Sequence, residues 1–439
     1  YANHIDGEIA LTEEQSKTEV DDAIFQLFKK INQGSRGPLH INVALNEPLY
    51  ETMEIETTKV VPYDFDFKTT VLSAEESNWI RETMQGKKVM ILVGQMPPNL
   101  LFIEQLKQLA DDPSFAILVE NTANAVFYKW VPCVDRTLEA IPAEQLEKFA
   151  PDVLITFGGA IVSKKIKAYL RKFKPAVHLK VGYDFTEMDT YEALTKSYAM
   201  NEGSFLRNLM QLKQGLLPSN YGAQWKQRDL IGEDRAINYL QTVPFSDLKA
   251  HEIVLDSIPE QSVVHLGNST IIRYSQLFNP VQGITYHSNR GTSGIDGSLS
   301  TAVGAALADP DHLHVALIGD VSFFYDSNFM WINYAVPNLR VVLINNGGGA
   351  IFNFIQGPRS SKQNAKYFEA KHTFQAEYLC KAYGVEYLPV QSELDLEKAM
   401  DHFFDYAPDG TLKLIEINTS AIENHLFLDG FFSAIKNNK

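Results

Sequence analysis

Two short apolar runs, separated by about one helix of chain, constrain the fold of this sequence most. They cover residues 313–318 and 339–344, and runs of this composition are typical of buried parallel strands. Residues 327–334, between the runs, predict a crossover helix. Asp320 then follows the first strand and Asn346 follows the second, so both come to one edge of the sheet. In open parallel sheets that edge is where ligands bind.

The chemistry of these two side chains predicts a metal ion. Asp320 and Asn346 carry hard oxygen ligands 26 residues apart, and the glycines after Asn346 allow a backbone carbonyl to turn toward them. Two side-chain oxygens and one carbonyl suit Mg²⁺, which keeps a water and takes its remaining ligands from a phosphate ester. Gly-Asp or Asn-Asn alone indicates little, because turns use both pairs. The spacing across one strand–helix–strand unit carries the prediction.

This pattern resembles the metal motif of enzymes that depend on thiamine diphosphate (ThDP), in which Gly-Asp-Gly precedes Asn-Asn by one such unit. Here Val321 stands in place of the second glycine of that motif. The wider stretch reads Gly-Asp-x-Ser-Phe-x-Tyr-Asp-x-Asn from Gly319 and ends in Gly-Gly-x-Ile-Phe at Phe352. It is similar to one branch of that superfamily, the MenD family. Its members are the 2-succinyl-5-enolpyruvyl-6-hydroxy-3-cyclohexene-1-carboxylate synthases of menaquinone (vitamin K2) biosynthesis.

A loop ahead of this stretch carries the most specific local match. Residues 289–297 read Asn-Arg-Gly-Thr-Ser-Gly-Ile-Asp-Gly, nearly identical to the MenD pattern Asn-Arg-Gly-x-Ser-Gly-Ile-Asp-Gly. The exposed amides of such a loop suit a diphosphate. Near the N-terminus, residues 37–50 resemble the end of the family's pyrimidine-binding domain, with a linker that begins at Pro48.

The resemblance implies a cofactor, a metal and a reaction. The cofactor is ThDP, held through Mg²⁺ or Mn²⁺. Members of the family decarboxylate 2-oxoglutarate and add the resulting succinyl carbanion to isochorismate, so the chain is expected to be a transferase (carboligase). The cofactor does the organic work as an electron sink, and the protein anchors and orients it.

The resemblance also implies which residues form the site. The metal ligands are Asp320, Asn346 and the Gly348 carbonyl, and Ile295 holds the bent cofactor from below. The full cofactor set is Asn268, Ser269, Gly294, Ile295, Gly319, Asp320, Val321, Ser322, Asn346, Gly348, Ala350 and Ile351. The catalytic set is Lys164, Ser269, Arg273 and Arg290, and the same four contact substrate together with Ile351 and Phe352.

Charge explains why the three cations of this set matter. The formal net charge is −15, while both substrates are dicarboxylates that need local positive charge. We therefore expect Lys164, Arg273 and Arg290 to converge on one pocket, although they are far apart in sequence. By spacing alone, a lysine after the Gly158-Gly159 turn is more typical of a solvated helix start.

The order of elements predicts an α/β protein with doubly wound parallel sheets of the ThDP-enzyme type, comprising two complete α/β domains and an N-terminal remnant. Strands and helices alternate along both larger parts of the chain, which indicates parallel layers. Residues 1–60 are interpreted as the end of a pyrimidine-binding domain with its linker. There a capping box at Thr12 and Gln15 begins a helix, and one strand follows. Residues 75–215 form the central domain, of the type named transhydrogenase dIII-like, and 220–439 the diphosphate-binding domain.

Composition excludes several classes of partner. The negative net charge disfavours nucleic acid and anionic membranes. No apolar run is long enough to span a membrane. The two cysteines, Cys133 and Cys380, fall in different predicted domains and are interpreted as reduced thiols, which indicates the cytoplasm. The central domain lacks Gly-x-Gly-x-x-Gly after its first strand, so dinucleotide binding is not expected.

Two alternatives remain open from the sequence. Another ThDP enzyme, an acetohydroxyacid synthase or a 2-oxoacid decarboxylase, would share Asp320 and Asn346. A non-catalytic scaffold or regulatory subunit would keep the fold without turnover. In the superfamily the active site lies between subunits, so a homodimer or homotetramer is expected. The glutamate that activates the cofactor lies in the N-terminal domain, and we expect the 439 residues alone to be inactive.

Overall fold

The computed structural model describes residues 4–33, 37–47, 50, 52, 71–183, 188–354, 359–405, 410–419 and 424–436. Within these ranges the chain forms three parallel sheets of two, five and six strands. Helices connect most successive strands, and only the crossover from β6 to β7 has no helix among the described residues. The predicted α/β class with parallel sheets is confirmed. No helix among these residues has the length and apolar character needed to cross a bilayer.

The N-terminal unit is a strand–helix–strand unit rather than a helix and one strand. Strand β1, missed by the sequence analysis, pairs in parallel with β2. The capping box also differs from the prediction, because it is formed by Ser16 and Glu19. The Ser16 amide donates to the Glu19 carboxylate, and the Glu19 amide donates to the Ser16 hydroxyl. Thr12 and Gln15 instead form the preceding turn. The predicted linker start at Pro48 lies outside the described residues. The elements are β1 (Gly7–Leu11), α1 (Lys17–Gln33) and β2 (Leu39–Val43).

The central unit is a five-stranded sheet with its first three strands buried along their length. The spatial order is β4-β3-β5-β6-β7, so the chain changes direction between β3 and β5. The predicted strands agree with the structure to within a residue, and the polar edge strand β7 was missed. The strands are β3 (Val89–Val93), β4 (Phe115–Val119), β5 (Val153–Phe157), β6 (Val177–Val181) and β7 (Leu194–Tyr198). The helices are α2 (Ala74–Met84), α3 (Leu100–Leu109), α4 (Val134–Glu139), α5 (Leu146–Phe149), α6 (Lys164–Lys172) and α7 (Glu202–Leu212).

The C-terminal unit is a six-stranded sheet in the order β12-β13-β11-β10-β8-β9. Strands β8, β10 and β11 are direct neighbours, so the polar residues that follow them meet at one edge. The strands are β8 (Val263–Leu266), β9 (Thr285–His287), β10 (His314–Gly319), β11 (Leu339–Asn345), β12 (Glu386–Val390) and β13 (Lys413–Asn418). The helices are α8 (Tyr221–Leu240), α9 (Asp247–Ser257), α10 (Thr270–Ser275), α11 (Ser298–Ala308), α12 (Asp320–Tyr325), α13 (Glu377–Tyr383), α14 (Glu393–Phe403) and α15 (Asn424–Lys436).

The crossover between β10 and β11 differs from the single helix predicted at 327–334. Helix α12 begins directly at Asp320, and a short 3₁₀ helix, Ser327–Trp331, follows it. The helix stops because Asp326 has another role: its carboxylate accepts hydrogen bonds from the backbone amides of Leu299 and Ser300, at 2.7 and 2.8 Å. Asp326 thereby caps α11, whose own N-cap residue is a glycine.

Helix α8 joins the two larger units. Its first turns place Tyr221 and Trp225 in the core of the central unit. Its last turns place Ala236 and Leu240 against Phe431 of α15. The helix therefore begins directly after the boundary predicted near residue 220, and its first turns still pack in the central unit.

Candidate active site

The cofactor residues expected from the sequence lie at the carboxyl edge of three adjacent strands. Asn268 and Ser269 follow β8, Gly319 ends β10, and Asn346 follows β11. The first turn of α12 carries Asp320, Val321 and Ser322. One strand–helix–strand repeat therefore brings together residues that are far apart in the chain. This is the edge at which open parallel sheets bind ligands.

Asp320 and the glycine loop after β11 are joined directly. The Asp320 side chain is 3% exposed, and its Oδ2 accepts a hydrogen bond of 2.9 Å from the Gly348 amide. Its Oδ1 accepts from the Val321 amide at 2.6 Å. Gly348 has a φ of +150°, and a Cβ there would lie 2.5 Å from the Glu369 carbonyl oxygen. Only glycine lets the loop approach the carboxylate in this way.

The side-chain amide of Asn346 has a hydrogen-bonded nitrogen and an oxygen without a hydrogen-bond donor among the described residues. Its Nδ2 donates to Asp247 Oδ2 at 2.8 Å. Its Oδ1 is buried and accepts no hydrogen bond from any residue that the structure describes. A buried oxygen without a donor is costly, and a cation bound at this point would satisfy it.

Asp247, at the start of α9, is itself buried and held on three sides. Its carboxylate accepts from Asn346 and from the Thr419 hydroxyl, and its amide donates to Asn424 Oδ1 at 2.9 Å. Burial raises the pKa of Asp247 to about 6, and the charge of Asp320 adds to the increase while the Thr419 and Asn346 hydrogen bonds oppose it. The site therefore contains two buried carboxylates close enough to repel each other.

These residues fit a hard divalent cation. The set offers one carboxylate, one free amide oxygen and a glycine loop, which is the oxygen chemistry that Mg²⁺ takes beside a phosphate ester. Among the described residues there is no group of three His, Cys, Asp or Glu side chains arranged for a metal. A site of the expected kind needs only one such side chain, because amide and carbonyl oxygens supply the rest.

Asn268 fixes the loop that precedes α11. Its Nδ2 donates to the carbonyls of Asn289 and Gly294, both at 2.7 Å, and its Oδ1 accepts from Arg290 at 2.8 Å. The Ile295 carbonyl accepts from the Ser322 hydroxyl of α12. The loop is therefore tied to both β8 and α12.

Ser269 has an unusual backbone conformation, with φ +70° and ψ −125° at the start of α10. A non-glycine residue held there is strained by about 1–3 kcal/mol, and such strain is concentrated at ligand sites. Ser269 is the serine expected beside the diphosphate from the sequence, and that role stays a prediction.

A cavity of about 260 Å³ opens beside this edge. It has a charged side and an apolar side. Ile351 lines it, whereas Phe352 is absent from its lining and packs against the Phe368 ring, 5.4 Å away. The backbone of Ala350 begins the 3₁₀ helix that carries Ile351, and its side chain lies outside the described residues. The lining residues are Asp135, Lys164, Lys165, Thr270, Arg273, Tyr274, Leu277, Ile351, Phe354, Leu428, Asp429 and Phe432.

The three cations lie close together but line two cavities. Lys164 and Arg273 share the 260 Å³ cavity, while Arg290 lines a neighbouring cavity of about 490 Å³. Burial and the charges of Arg273 and Arg290 lower the pKa of Lys164. Burial also lowers the pKa values of both arginines, and the carboxylates Glu120 and Asp135 oppose this for Arg273. The region therefore concentrates positive charge that an anionic ligand would neutralise.

The sequence is similar to proteins of known family. Residues 266–417 match the family "Thiamine pyrophosphate enzyme, C-terminal TPP binding domain". The chain is 37% identical over 401 residues to a 2-succinyl-5-enolpyruvyl-6-hydroxy-3-cyclohexene-1-carboxylate synthase of Flavobacterium psychrophilum, covering 91% of this chain and 70% of the relative. This chain belongs to the MenD family.

Further relatives carry the same name. The synthase of Christiangramia forsetii is 36% identical over 412 residues, with 91% of this chain and 70% of the relative covered. That of Desulfotalea psychrophila is 35% identical over 406 residues, covering 90% and 73%. The resemblance to the MenD family stated from the sequence is therefore confirmed.

Several residues of this MenD-family site were missed by the sequence analysis. Asp247 has no local motif and meets Asn346 across 99 residues of chain. Glu120 and Asp135 lie beside the cations but follow no recognisable pattern. Leu428 and Phe432, on the apolar side of the cavity, come from α15, which was not predicted. The one available signal was the amphipathic spacing of α15, in which Leu428, Phe432 and the buried Ile435 fall on one helix face.

Proposed function

We propose that this chain is a ThDP-dependent 2-succinyl-5-enolpyruvyl-6-hydroxy-3-cyclohexene-1-carboxylate synthase of menaquinone biosynthesis. The reaction removes CO₂ from 2-oxoglutarate and transfers the remaining four-carbon succinyl unit to isochorismate. The observation that carries the proposal is the pairing of Asp320 with the Gly348 amide beside the free Asn346 oxygen, in a chain of the MenD family.

The proposed cofactor roles follow from this edge. Asp320, Asn346 and the Gly348 carbonyl would hold Mg²⁺ or Mn²⁺, and Ser322 with the backbone at Ser269 would face the diphosphate. ThDP supplies an electron sink for the carbon that loses CO₂. Ile295, whose carbonyl accepts a hydrogen bond from Ser322, would press on the cofactor and keep it bent.

The proposed substrate roles follow from charge and shape. Lys164, Arg273 and Arg290 would bind carboxylates of 2-oxoglutarate and isochorismate, the arginines by paired hydrogen bonds. Ile351 lines the apolar side of the cavity, which suits a carbon ring. Phe352 stays a prediction as a ring contact, since it packs on Phe368 and is not among the residues that line this cavity.

We also propose that the protein is a homo-oligomer in which subunits meet at the C-terminal unit. The support is a set of exposed aromatic side chains near the metal edge. Trp331, Tyr334, Phe374 and Tyr378 are each about two-thirds or more exposed, and α13 packs on the 3₁₀ helix that carries Trp331. Aromatic residues are enriched in subunit interfaces. Both cysteines are buried and unpaired, as suits the proposed cytoplasmic location.

The test is an assay of the protein encoded by the whole reading frame that contains these 439 residues. Purified protein receives ThDP, Mg²⁺ and 2-oxoglutarate labelled with ¹³C, with either isochorismate or pyruvate as acceptor. We expect the labelled succinyl unit in a product with isochorismate only. Transfer to pyruvate, or release of CO₂ without transfer, would identify a different ThDP enzyme. Neither transfer nor CO₂ release, with ThDP bound, would favour a non-catalytic subunit.

A further inference from the structure

Glu120 is a buried carboxylate that the proposed reaction does not use directly. It follows β4, and its side chain is 1% exposed. Its Oε2 accepts from the Val162 amide at 2.7 Å and its Oε1 from the Ser163 amide at 2.8 Å. Both oxygens therefore hold the same short turn, which lies more than 40 residues further along the chain.

That turn, residues 161–163, is held from other sides as well. Lys167 Nζ donates to the Ile161 carbonyl at 2.9 Å. Arg273 donates to the Val162 carbonyl at 3.4 Å, which links α10 of the C-terminal unit to the turn. The Ser163 hydroxyl donates to Asp135 and accepts from the Ile166 amide at 2.9 Å, which caps α6.

The turn leads directly into Lys164, the first residue of α6. Lys164 and Arg273 line one cavity as like charges and repel each other. Moving the turn would therefore move Lys164 and release the carbonyl that Arg273 contacts. Glu120 and Asp135 are the two carboxylates that attract Arg273 here. Glu120 touches neither the cavity nor the metal edge, so its effect on a ligand has to pass through the turn.

We propose that Glu120 is a positioning residue of the dicarboxylate pocket: its carboxylate fixes the turn at 161–163 and thereby sets where Lys164 and Arg273 meet the substrate. The inference rests on the proposed function for the identity of the substrate, 2-oxoglutarate. A carboxylate is required because two N–H groups converge on it. A glutamine would offer one oxygen and turn an NH₂ group toward the second amide.

The test compares Glu120→Gln with Glu144→Gln, a matched change at an exposed glutamate of the same unit. In the complete enzyme, Glu120→Gln should raise KM for 2-oxoglutarate about tenfold or more, as loss of charge-assisted hydrogen bonds predicts. The affinity for ThDP with Mg²⁺ should stay within about twofold of wild type, because the metal edge is not touched. Amide hydrogen exchange at Val162 and Ser163 should accelerate. Glu144→Gln should change none of these.

The outcomes separate the inference from the proposed function. Faster amide exchange at Val162 and Ser163 with an unchanged KM would overturn the positioning role. Unchanged exchange would show that the Glu120 carboxylate does not hold the turn. If the wild type has no turnover, the proposed function fails, and calorimetric binding of 2-oxoglutarate then decides the inference: weaker binding by Glu120→Gln supports it, and equal binding contradicts it.

If Glu120→Gln does not fold, Glu120→Asp keeps the charge on a shorter side chain. It should give an intermediate KM with partly accelerated exchange, and wild-type values for both would contradict the proposal.

Discussion

The Asn346 side chain donates to Asp247 Oδ2 at 2.8 Å and leaves its own Oδ1 buried without a donor among the described residues. Asp247 cannot rotate freely, because Thr419 and Asn424 hold its carboxylate and its amide. The orientation of the Asn346 amide is thus set by a residue that is not itself expected to bind the metal.

Asp247→Ala should therefore weaken the metal site without removing a ligand. Mutation of a residue that orients a metal ligand typically lowers the affinity for the metal by about 10- to 100-fold. We expect the Mg²⁺ concentration needed for half-maximal ThDP binding, measured by calorimetry, to rise by that factor and high Mg²⁺ to restore binding. Glu260→Ala, at an exposed glutamate after the same helix, is the control. An unchanged Mg²⁺ requirement would contradict the orienting role of Asp247.

Arg340, on β11, is 1% exposed and donates to carbonyls rather than to a carboxylate. Its Nε bonds to the Phe403 carbonyl at the end of α14 at 2.6 Å, and its Nη1 bonds to the Pro337 carbonyl at 2.9 Å. Arg340→Met would leave these carbonyls unsatisfied, at about 1–3 kcal/mol for each buried group. The free energy of unfolding of Arg340→Met, measured with denaturant, should be lower than that of wild type by at least this amount. Arg81→Met, at an exposed position, should change stability by less than about 0.5 kcal/mol.

His178 should make stability depend on pH. Its ring is 1% exposed, and burial lowers its pKa to about 4 from an ordinary value of 6.5. Between these values the unfolded chain binds more protons than the folded one, so the free energy of unfolding falls as pH drops from 6.5 toward 4. The fall due to this residue is at most roughly 3 kcal/mol.

The measurement compares urea unfolding at pH 6.5 and pH 5 for wild type, His178→Gln and the exposed control His402→Gln. His178→Gln should lose less stability on acidification than wild type, whereas His402→Gln should follow wild type. An equal loss in all three proteins would show that His178 does not contribute.

The aromatic surface of the C-terminal unit gives a prediction for assembly. Trp331 and Tyr378 are 73% and 76% exposed on neighbouring elements. A double change to aspartate should lower the mass measured by light scattering to that of one subunit, because charged groups are costly at the core of an interface. Tyr128→Asp, at a 72% exposed tyrosine of the central unit, is the control. A mass that persists in the double variant would place the interface elsewhere.

The sequence predicted the central strands well and the edge strands poorly. Strands such as β3 and β4 are buried along their whole length and read as unbroken apolar runs. The missed strand β7 is largely polar, because an edge strand has fewer neighbours, and β12 contains Pro389, which argues against a strand in sequence. The crossover helix was misplaced because nothing in the local pattern shows that Asp326 caps a distant helix.

Residues of the site could likewise be predicted where a local motif marks them, and were missed where only contacts between distant parts of the chain do. Asp320 and Asn346 could be found because one strand–helix–strand unit fixes their spacing. Asp247 and Glu120 could not, because they act across 99 and 42 residues of chain through single hydrogen bonds to their partners. Phe352 was expected on the cavity wall from a linear motif. Phe354, two residues later and just after the 3₁₀ helix at 350–353, lines this cavity in the structure.

The central claim is that the edge formed by Asp320, Asn346 and Gly348 binds the diphosphate of ThDP through a divalent ion. Its most direct test is calorimetric titration of ThDP into wild type and Asp320→Ala, each with Mg²⁺ and with EDTA, using the complete protein. The structure predicts saturable binding by wild type that requires Mg²⁺, and no Mg²⁺-dependent binding by Asp320→Ala when both fold to the same melting profile. Equal Mg²⁺-dependent affinity in the two proteins would contradict the assignment of the site.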